Sequence, residues 1–296
     1  RSILGSEAKL LEVIREELLA VKEKYADKRR TQLMKEEHAH INIDESEFMV
    51  ASECTVILTR NGNLKRMSPK ALQKGMETGE LEEKFQPVLL VQTDTAGKLY
   101  LFTNKGNMMI LPVTSVPESR MKDAGKSINA LISGVDGDEV ILNILTKNDF
   151  DSKLMYFATA NGLVKATQME EFDVKKSKIM ACGLKEGDTL IYAKPNVPDV
   201  ENMIFITSDG MSINIRKNEI SVMGRSGKGV GAIKLGRHAK VVYVEQIKSG
   251  QEGDILLMTE KGYAKRTPVS EFEEQGRNGK GLKSYQLSEI SGREVI

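Results

Sequence analysis

Tryptophan is absent from this chain of 296 residues, and aromatic residues of all kinds make up only 5% of it. The first absence removes the Trp-Asp signature of the commonest propeller repeats. The second leaves few platforms on which unpaired bases could stack, which argues against recognition of single-stranded nucleic acid. Cysteine is almost missing: Cys54 and Cys182 lie 128 residues apart, form no disulfide framework, and fit a reducing cytoplasm. Neither stands in a metal or redox spacing, and none of the three histidines lies near a nucleophile motif, so no catalytic constellation assembles. His38 and His40 alternate within a charged stretch, but no carboxylate or Cys pattern completes a metal site around them. No apolar run approaches the length of a membrane span, and the first residues lack the apolar segment of a signal peptide.

What is present is ordinary for a soluble chain, at 40% hydrophobic and 29% charged residues, with room for one large or two ordinary domains. The net charge of +1 conceals an uneven distribution. Residues 222–240 hold Arg225, Lys228, Lys234, Arg237 and Lys240 with no acid, whereas residues 72–86 hold Glu77, Glu80, Glu82 and Glu83 against Lys74 and Lys84.

The dominant pattern is a repeat. Thr-x-x-Gly follows an apolar run at 59–62, 103–106, 159–162, 207–210 and 259–262, so the turn glycines are 44, 56, 48 and 52 residues apart. Each copy reads as a β-hairpin whose glycine supplies a conformation other residues disfavour. A period of this size, built from short strands without a long helix, predicts an all-β fold: a β-propeller of five visible repeats over residues 53–296, open to being an incomplete six-bladed ring. Stacking small sheets around an axis covers faces that one sheet cannot bury alone.

Before the repeats, Leu10, Ile14, Leu18, Val21 and Tyr25 fall three or four apart and predict an amphipathic helix from Ser6 to about Tyr25. Its stripe needs a partner helix that the chain does not supply, and Arg1 stands where a Met would start a complete protein, so a fragment of a longer chain is expected. Residues 1–34 form the helical segment in this reading, with Lys28-Arg29-Arg30 at its exit, and 35–52 are a connector. Residues 128–132 and 139–145 read as strands. Residues after Leu287 read as a start on a sixth blade.

The loops after the fourth and fifth hairpins match as Arg-x-Gly-Lys-Gly at 225–229 and 277–281, each Arg 15 residues beyond its turn glycine. They are not nucleotide-binding loops of the Walker type, since the spacing is wrong and no Ser or Thr follows the Lys. Glycine lets backbone amides approach an anion, Arg matches phosphate oxygens with a fork, and Lys adds a mobile charge. Repeated around a disc, such loops predict a basic rim that holds bent duplex DNA through its phosphates without reading bases. The candidate contacts are Arg225, Lys228, Lys234, Arg277, Lys280 and Lys283, continued by Arg120, Lys122, Lys176 and Lys178 in the second and third repeats.

These residues resemble a known family. The five repeats, the helix ending in Tyr-Ala-Asp-Lys-Arg-Arg-Thr (25–31) and the segment Thr-Ala-Asn-Gly-Leu-Val-Lys (159–165) are similar to the C-terminal domain of the A-type subunits of bacterial type IIA topoisomerases, that is, of DNA gyrase and topoisomerase IV. The resemblance covers essentially the whole chain. It implies a DNA-wrapping or DNA-presenting propeller, a helix from the coiled coil of the DNA-cleavage core, and a catalytic tyrosine in the region before Arg1, so no tyrosine here takes that role. It further implies an A2B2 holoenzyme with B-type ATPase subunits and a second A-type copy, using ATP and Mg2+ in the nucleoid-associated cytoplasm; the chain itself is expected to hold no cofactor and to touch no membrane. Gyrase carries a box resembling Gln-Arg-Arg-Gly-Gly-Lys-Gly in the first blade. Here residues 73–79 read Gln-Lys-Gly-Met-Glu-Thr-Gly, and the better match, Gln-Gly-Arg-Asn-Gly-Lys-Gly, stands at 275–281 in the fifth repeat. That departure points to topoisomerase IV, in which the propeller presents DNA for decatenation and relaxation. Gyrase-type wrapping stays open as the alternative, as do a protein-interaction propeller docking through the acidic first-repeat loop and a propeller enzyme with a site in its central channel.

Overall fold

In the computed structural model, residues 5–27, 51–77, 81–248 and 250–296 are described. The chain divides into two compact units, Arg1–Phe48 and Met49–Ile296. The first contains α1 (Glu7–Tyr25), which starts after an extended Ser6 whose hydroxyl caps nothing, and it buries none of its residues. Its stripe is therefore open, with Leu18 63% and Tyr25 70% exposed. The basic exit at 28–30, both expected linker histidines and most of the connector lie outside the described residues.

The second unit is built on five antiparallel hairpins. They are β1 (Glu53–Thr59) with β2 (Asn63–Met67), β4 (Lys98–Thr103) with β5 (Asn107–Pro112), β8 (Leu154–Thr159) with β9 (Leu163–Gln168), β12 (Asn202–Thr207) with β13 (Met211–Arg216), and β16 (Asp254–Met258) with β17 (Ala264–Pro268). Each Thr-x-x-Gly closes one hairpin. The glycine N–H donates to the threonine carbonyl at 2.8–3.0 Å, and the glycine φ lies between 74° and 80° in all five. The threonines are buried, and the Thr59 and Thr207 hydroxyls donate across the turn to the Asn63 and Met211 carbonyls at 3.0 and 3.1 Å.

Strand exchange joins the hairpins into sheets. After hairpins two to five, the chain first contributes a short strand to the preceding sheet: β6 (Lys126–Ser127) to β2, β10 (Lys178–Met180) to β5, β14 (Val230–Gly231) to β9, and β18 (Leu282–Lys283) to β13. Returning to its own hairpin, it adds β7 (Ile141–Leu145) to β4, β11 (Leu190–Pro195) to β8 and β15 (Val241–Ile247) to β12; β3 (Pro87–Asp94) does the same on β1. The orders β3-β1-β2-β6, β7-β4-β5-β10, β11-β8-β9-β14 and β15-β12-β13-β18 follow. Successive returning strands β3, β7, β11 and β15 lie against one another, so that end of each sheet is the inner one and the exchanged strand lies at the outer end. Among the described residues, four four-stranded sheets and a fifth hairpin form the propeller-like fold that the repeat predicts.

Alternation along the strands packs each sheet on both sides. In β4, Leu99 and Leu101 join Val56, Leu58 and Leu64 of the first sheet, whereas Tyr100 and Phe102 join Met155, Phe157 and Phe172 of the third repeat. Ile204 and Ile206 of β12 likewise turn to Leu257 and Phe272 of the fifth repeat, and Met203 and Phe205 turn to the third sheet. Each such side chain contributes about 1.5–3 kcal/mol of burial, so the cores lie between sheets rather than within one.

Three local expectations are corrected. The acidic stretch expected as a loop over 73–84 is helical in its first part, where α2 (Pro69–Glu77) ends, and Ala71 and Leu72 of that helix pack on Ile57, Met67 and Met121. Residues 128–131 form a short helix, α3 (Ile128–Leu131), not a strand, placing Ile128 in the core between the first two sheets. The chain end does not begin a sixth blade. Thr259 bridges Val295, Glu260 N–H donates to Glu294 at 3.2 Å and Ile296 N–H to Met258 at 2.9 Å, so these residues take the returning-strand position of the fifth hairpin.

Candidate nucleic-acid interface

The basic loops lie where each repeat crosses to the preceding sheet, because the exchanged strand follows immediately. In the fourth repeat, Lys228 stands just before β14, and Gly229 (φ 91°) lets the backbone pass Val164 so closely that a Cβ would lie 2.8 Å from its carbonyl oxygen. In the fifth, Lys280 stands before β18 in the same way. In the second, Arg120 and Lys122 precede β6; in the third, Lys176 precedes β10 and Lys178 begins it.

These loops are latched from below. The Glu171 carboxylate accepts the Arg225 N–H at 3.1 Å and lies 3.9 Å from its guanidinium Nε. Glu219 accepts the Arg277 N–H at 2.9 Å in the next repeat. Beneath the fourth loop, the buried Lys165 ammonium donates to the carbonyls of Gly224, Arg225 and Ala181 at 3.0, 2.9 and 3.3 Å. Burial pulls the Lys165 pKa below the ordinary lysine value, with Cys182 and Glu171 acting the other way. Beneath the second loop, Lys65 donates to Met121 and Asp123 carbonyls at 2.5 and 3.0 Å, and burial lowers its pKa too.

The ten candidate residues separate into two groups. Lys228, Lys234, Lys280, Lys122 and Lys176 are exposed, and their ammonium groups engage nothing among the described residues. Arg120 is exposed beside Asp123 at 3.5 Å, and the exposed Lys283 donates to Gln286 at 3.1 Å. The remaining three are partly used within the fold. Arg225 is held by Glu171. Arg277 donates to the Gly231 carbonyl at 2.8 Å, stitching the fifth loop to the fourth, and its Nε is buried without a partner. Lys178 donates to the Gly134 carbonyl at 2.7 Å and pairs with Glu139 at 3.4 Å. Burial works to raise the Glu139 pKa, but hydrogen bonds from Thr103 and Asn107, with the Lys178 charge, hold it below the usual value.

Two open grooves gather the cations. One, of about 790 Å³, runs between the third and fourth loops and is lined by Lys175, Lys176, Lys178 and Arg225, with Glu171 at its wall. The other, of about 320 Å³, brings Lys234 of the fourth repeat to Lys280 of the fifth. Of the ten candidates, Arg120, Lys122, Lys228, Arg277 and Lys283 line neither. Cationic side chains on glycine-rich backbone can neutralise phosphates in register with a duplex, but offer no fixed pattern for reading base edges. The latches are not evident from charge or glycine spacing alone. The two buried lysines share one signal, a position three residues after the turn glycine; the same spacing gives Lys265, which is exposed and donates to the Ser284 carbonyl at 3.1 Å.

The family model described as DNA gyrase C-terminal domain, beta-propeller, matches residues 97–146, 154–196, 201–248 and 253–289, more than half of the chain. The A-type subunit of DNA topoisomerase 4 from Bacillus subtilis is 35% identical over 95% of this chain and 35% of its own length. The A-type subunit of DNA gyrase from Helicobacter pylori is 32% identical over 99% of this chain and 36% of its own. The chain thus spans about a third of these relatives. Among solved structures, a C-terminal domain of DNA topoisomerase IV superposes with a TM-score of 0.74 at 25% identity, covering 83% of this chain and 77% of that one. A DNA gyrase A C-terminal domain shares the fold with a TM-score of 0.59 at 23% identity, covering 83% and 81%.

Proposed function

The chain belongs to the DNA gyrase C-terminal β-propeller family, and we propose that it holds duplex DNA on its outer-edge loops, presenting segments to the strand-passage machinery of a topoisomerase IV. The observation that carries the DNA reading is the groove between the third and fourth loops, where Lys175, Lys176, Lys178 and Arg225 converge from two repeats. Exposed Lys228 and Lys280 extend the positive edge to the fifth repeat. Binding of this kind is driven by counterion release and is indifferent to sequence.

The choice of topoisomerase IV rests on the first repeat. At the position of the gyrase box, residues 73–77 are the last turn and a half of α2, carrying Glu77 and no arginine. A helix packed on Met67 and Met121 offers no flexible basic backbone to a passing duplex. In the same reading, α1 belongs to the coiled coil of a cleavage core, residues 35–52 connect it to the propeller at 53–296, and the whole protein works with a second copy and an ATPase partner near the nucleoid. ATP and Mg2+ belong, in that reading, to the ATPase partner and the cleavage core, and this chain contributes the DNA-holding edge.

The test is topoisomer analysis: relaxed plasmid is incubated with the chain and a relaxing topoisomerase, then deproteinised. Salt-sensitive binding with an unchanged linking-number distribution is expected. A shifted distribution would mean that DNA is wrapped with a definite hand and would favour the gyrase alternative. Absence of binding would remove the DNA reading altogether.

A further inference from the structure

The fourth and second basic loops rest on buried ammonium groups, and the strand position that supplies them is not lysine throughout. Hairpin register aligns Lys65, Met109, Lys165, Ile213 and Lys265 at one site on the second strand of each repeat, each paired one residue inward from the turn. Met109 and Ile213 are fully buried there, so a sheet of this fold forms with an apolar side chain at the site. Lys65 and Lys165 are equally buried, at 0% and 1% exposure. Burying an ammonium is costly and is offset only when its protons are all engaged, so an apolar residue would serve stability alone at least as well. The lysines engage the backbone at the cationic residues themselves. Lys165 takes the carbonyls of Gly224 and Arg225, and Lys65 takes those of Met121 and Asp123, on either side of Lys122. The Phe157 ring lies 5.2 Å from the Lys165 nitrogen and fixes it from another side.

We infer that Lys165 and Lys65 are positioning residues for duplex binding, buried clamps that hold the Gly224–Arg225 and Met121–Asp123 backbone so that Arg225, Lys228, Arg120 and Lys122 face a phosphate track. This rests on the basic-edge reading above and adds to it the residues that shape the edge without touching DNA. An exposed cation on a free loop loses entropy when binding orders it, and a clamped loop has that order already.

A double-mutant cycle on duplex binding tests it. In this chain, Lys165→Met is compared with wild type, with the double variant Arg225→Ala/Lys228→Ala, and with all three substitutions together; Ile213→Met is the control at the matching site of the next repeat. Lys165→Met is expected to keep a cooperative melt, to weaken duplex binding about five- to tenfold, and to have no further effect once Arg225 and Lys228 are gone, because it acts through them. The Ile213→Met control is expected to bind normally. The same cycle on Lys65→Met with Lys122→Ala reads the second loop independently, in case one lysine variant does not fold. Unchanged affinity for Lys165→Met, or a loss that persists at full size without Arg225 and Lys228, would overturn the clamp role. Failure of both lysine variants to fold would also overturn it, since the site would then need the ammonium for stability. If Arg225→Ala/Lys228→Ala itself binds as wild type, the basic-edge reading fails instead.

Discussion

Gly183 and Ser226 are held so closely that a methyl group on Gly183 would lie 2.2 Å from the Ser226 carbonyl oxygen. The Gly183 N–H donates to the Arg225 carbonyl at 3.0 Å, so the third-repeat loop packs directly on the backbone of the fourth. Gly183→Ala must push the two loops apart. A loss of about 1–3 kcal/mol is expected from overpacking, read as a lower melting temperature, together with weaker duplex binding. An alanine variant with wild-type melting and wild-type affinity would show that this contact shapes nothing.

Glu171 sets an acid against the groove that gathers the cations. Its side chain is 37% exposed, and glutamine in its place keeps an oxygen to accept the Arg225 N–H while removing the charge. Glu171→Gln is therefore expected to bind duplex about two- to fivefold more tightly at low salt, the size of a partly exposed charge interaction. The gain should shrink as salt rises. Fluorescence anisotropy across a salt series reads both, and a weaker or unaltered affinity would place the phosphates elsewhere.

Lys217 gives a pH dependence that has nothing to do with DNA. It is 7% exposed, and its ammonium donates to Asn196, Gln246 and the Val197 carbonyl at 2.7, 2.8 and 3.2 Å. Burial pushes its pKa down from 10.5 to about 8, with the Glu201 charge acting the other way. Between those values the unfolded chain binds more protons at this residue than the folded chain does, so its contribution to stability rises with pH across the window and is flat below it. A gain of about 2–3 kcal/mol from pH 8 to 10.5 is expected in wild type relative to Lys217→Met. Denaturant melts at several pH values read the difference; parallel pH curves for the two proteins would contradict it.

Val295 closes the fifth blade. It is 2% exposed, bridges Thr259 and packs in the cluster with Ile204, Leu257 and Phe272. Val295→Ala should cost about 1–3 kcal/mol, and hydrogen exchange should quicken first at β16. Quickening spread evenly over all sheets would mean that the last strand does not belong to that blade in particular.

Much of this architecture was legible because its punctuation is local. Thr and Gly three residues apart must make the same turn in every copy, and all five glycines adopt the conformation that their spacing implies. The exchange of strands was not legible. β14 and β18 are two residues long, too short to show any period, and their partners lie more than a full repeat away in sequence. The nine-residue α2 was hidden in a stretch read by its acids, since Ala71 and Leu72 are too few to make a convincing stripe. Charge and glycine mark the basic loops, but charge does not separate Lys228, which has no partner among the described residues, from Lys178, which is paired with Glu139. Buried lysines are the extreme case: a lone Lys reads as exposed until hairpin register sets Lys165 beside Met109 and Ile213.

Salt titration of duplex binding tests most directly whether the outer-edge loops hold phosphates. With about five phosphate contacts, the logarithm of the binding constant should fall against the logarithm of salt with a slope of about −4 to −5. Lys228→Glu/Lys280→Glu should weaken binding to two unrelated duplexes alike and flatten the slope by about 2. Salt-independent affinity, or charge-reversed loops that bind as tightly as wild type, would contradict the assignment and turn attention to a protein partner.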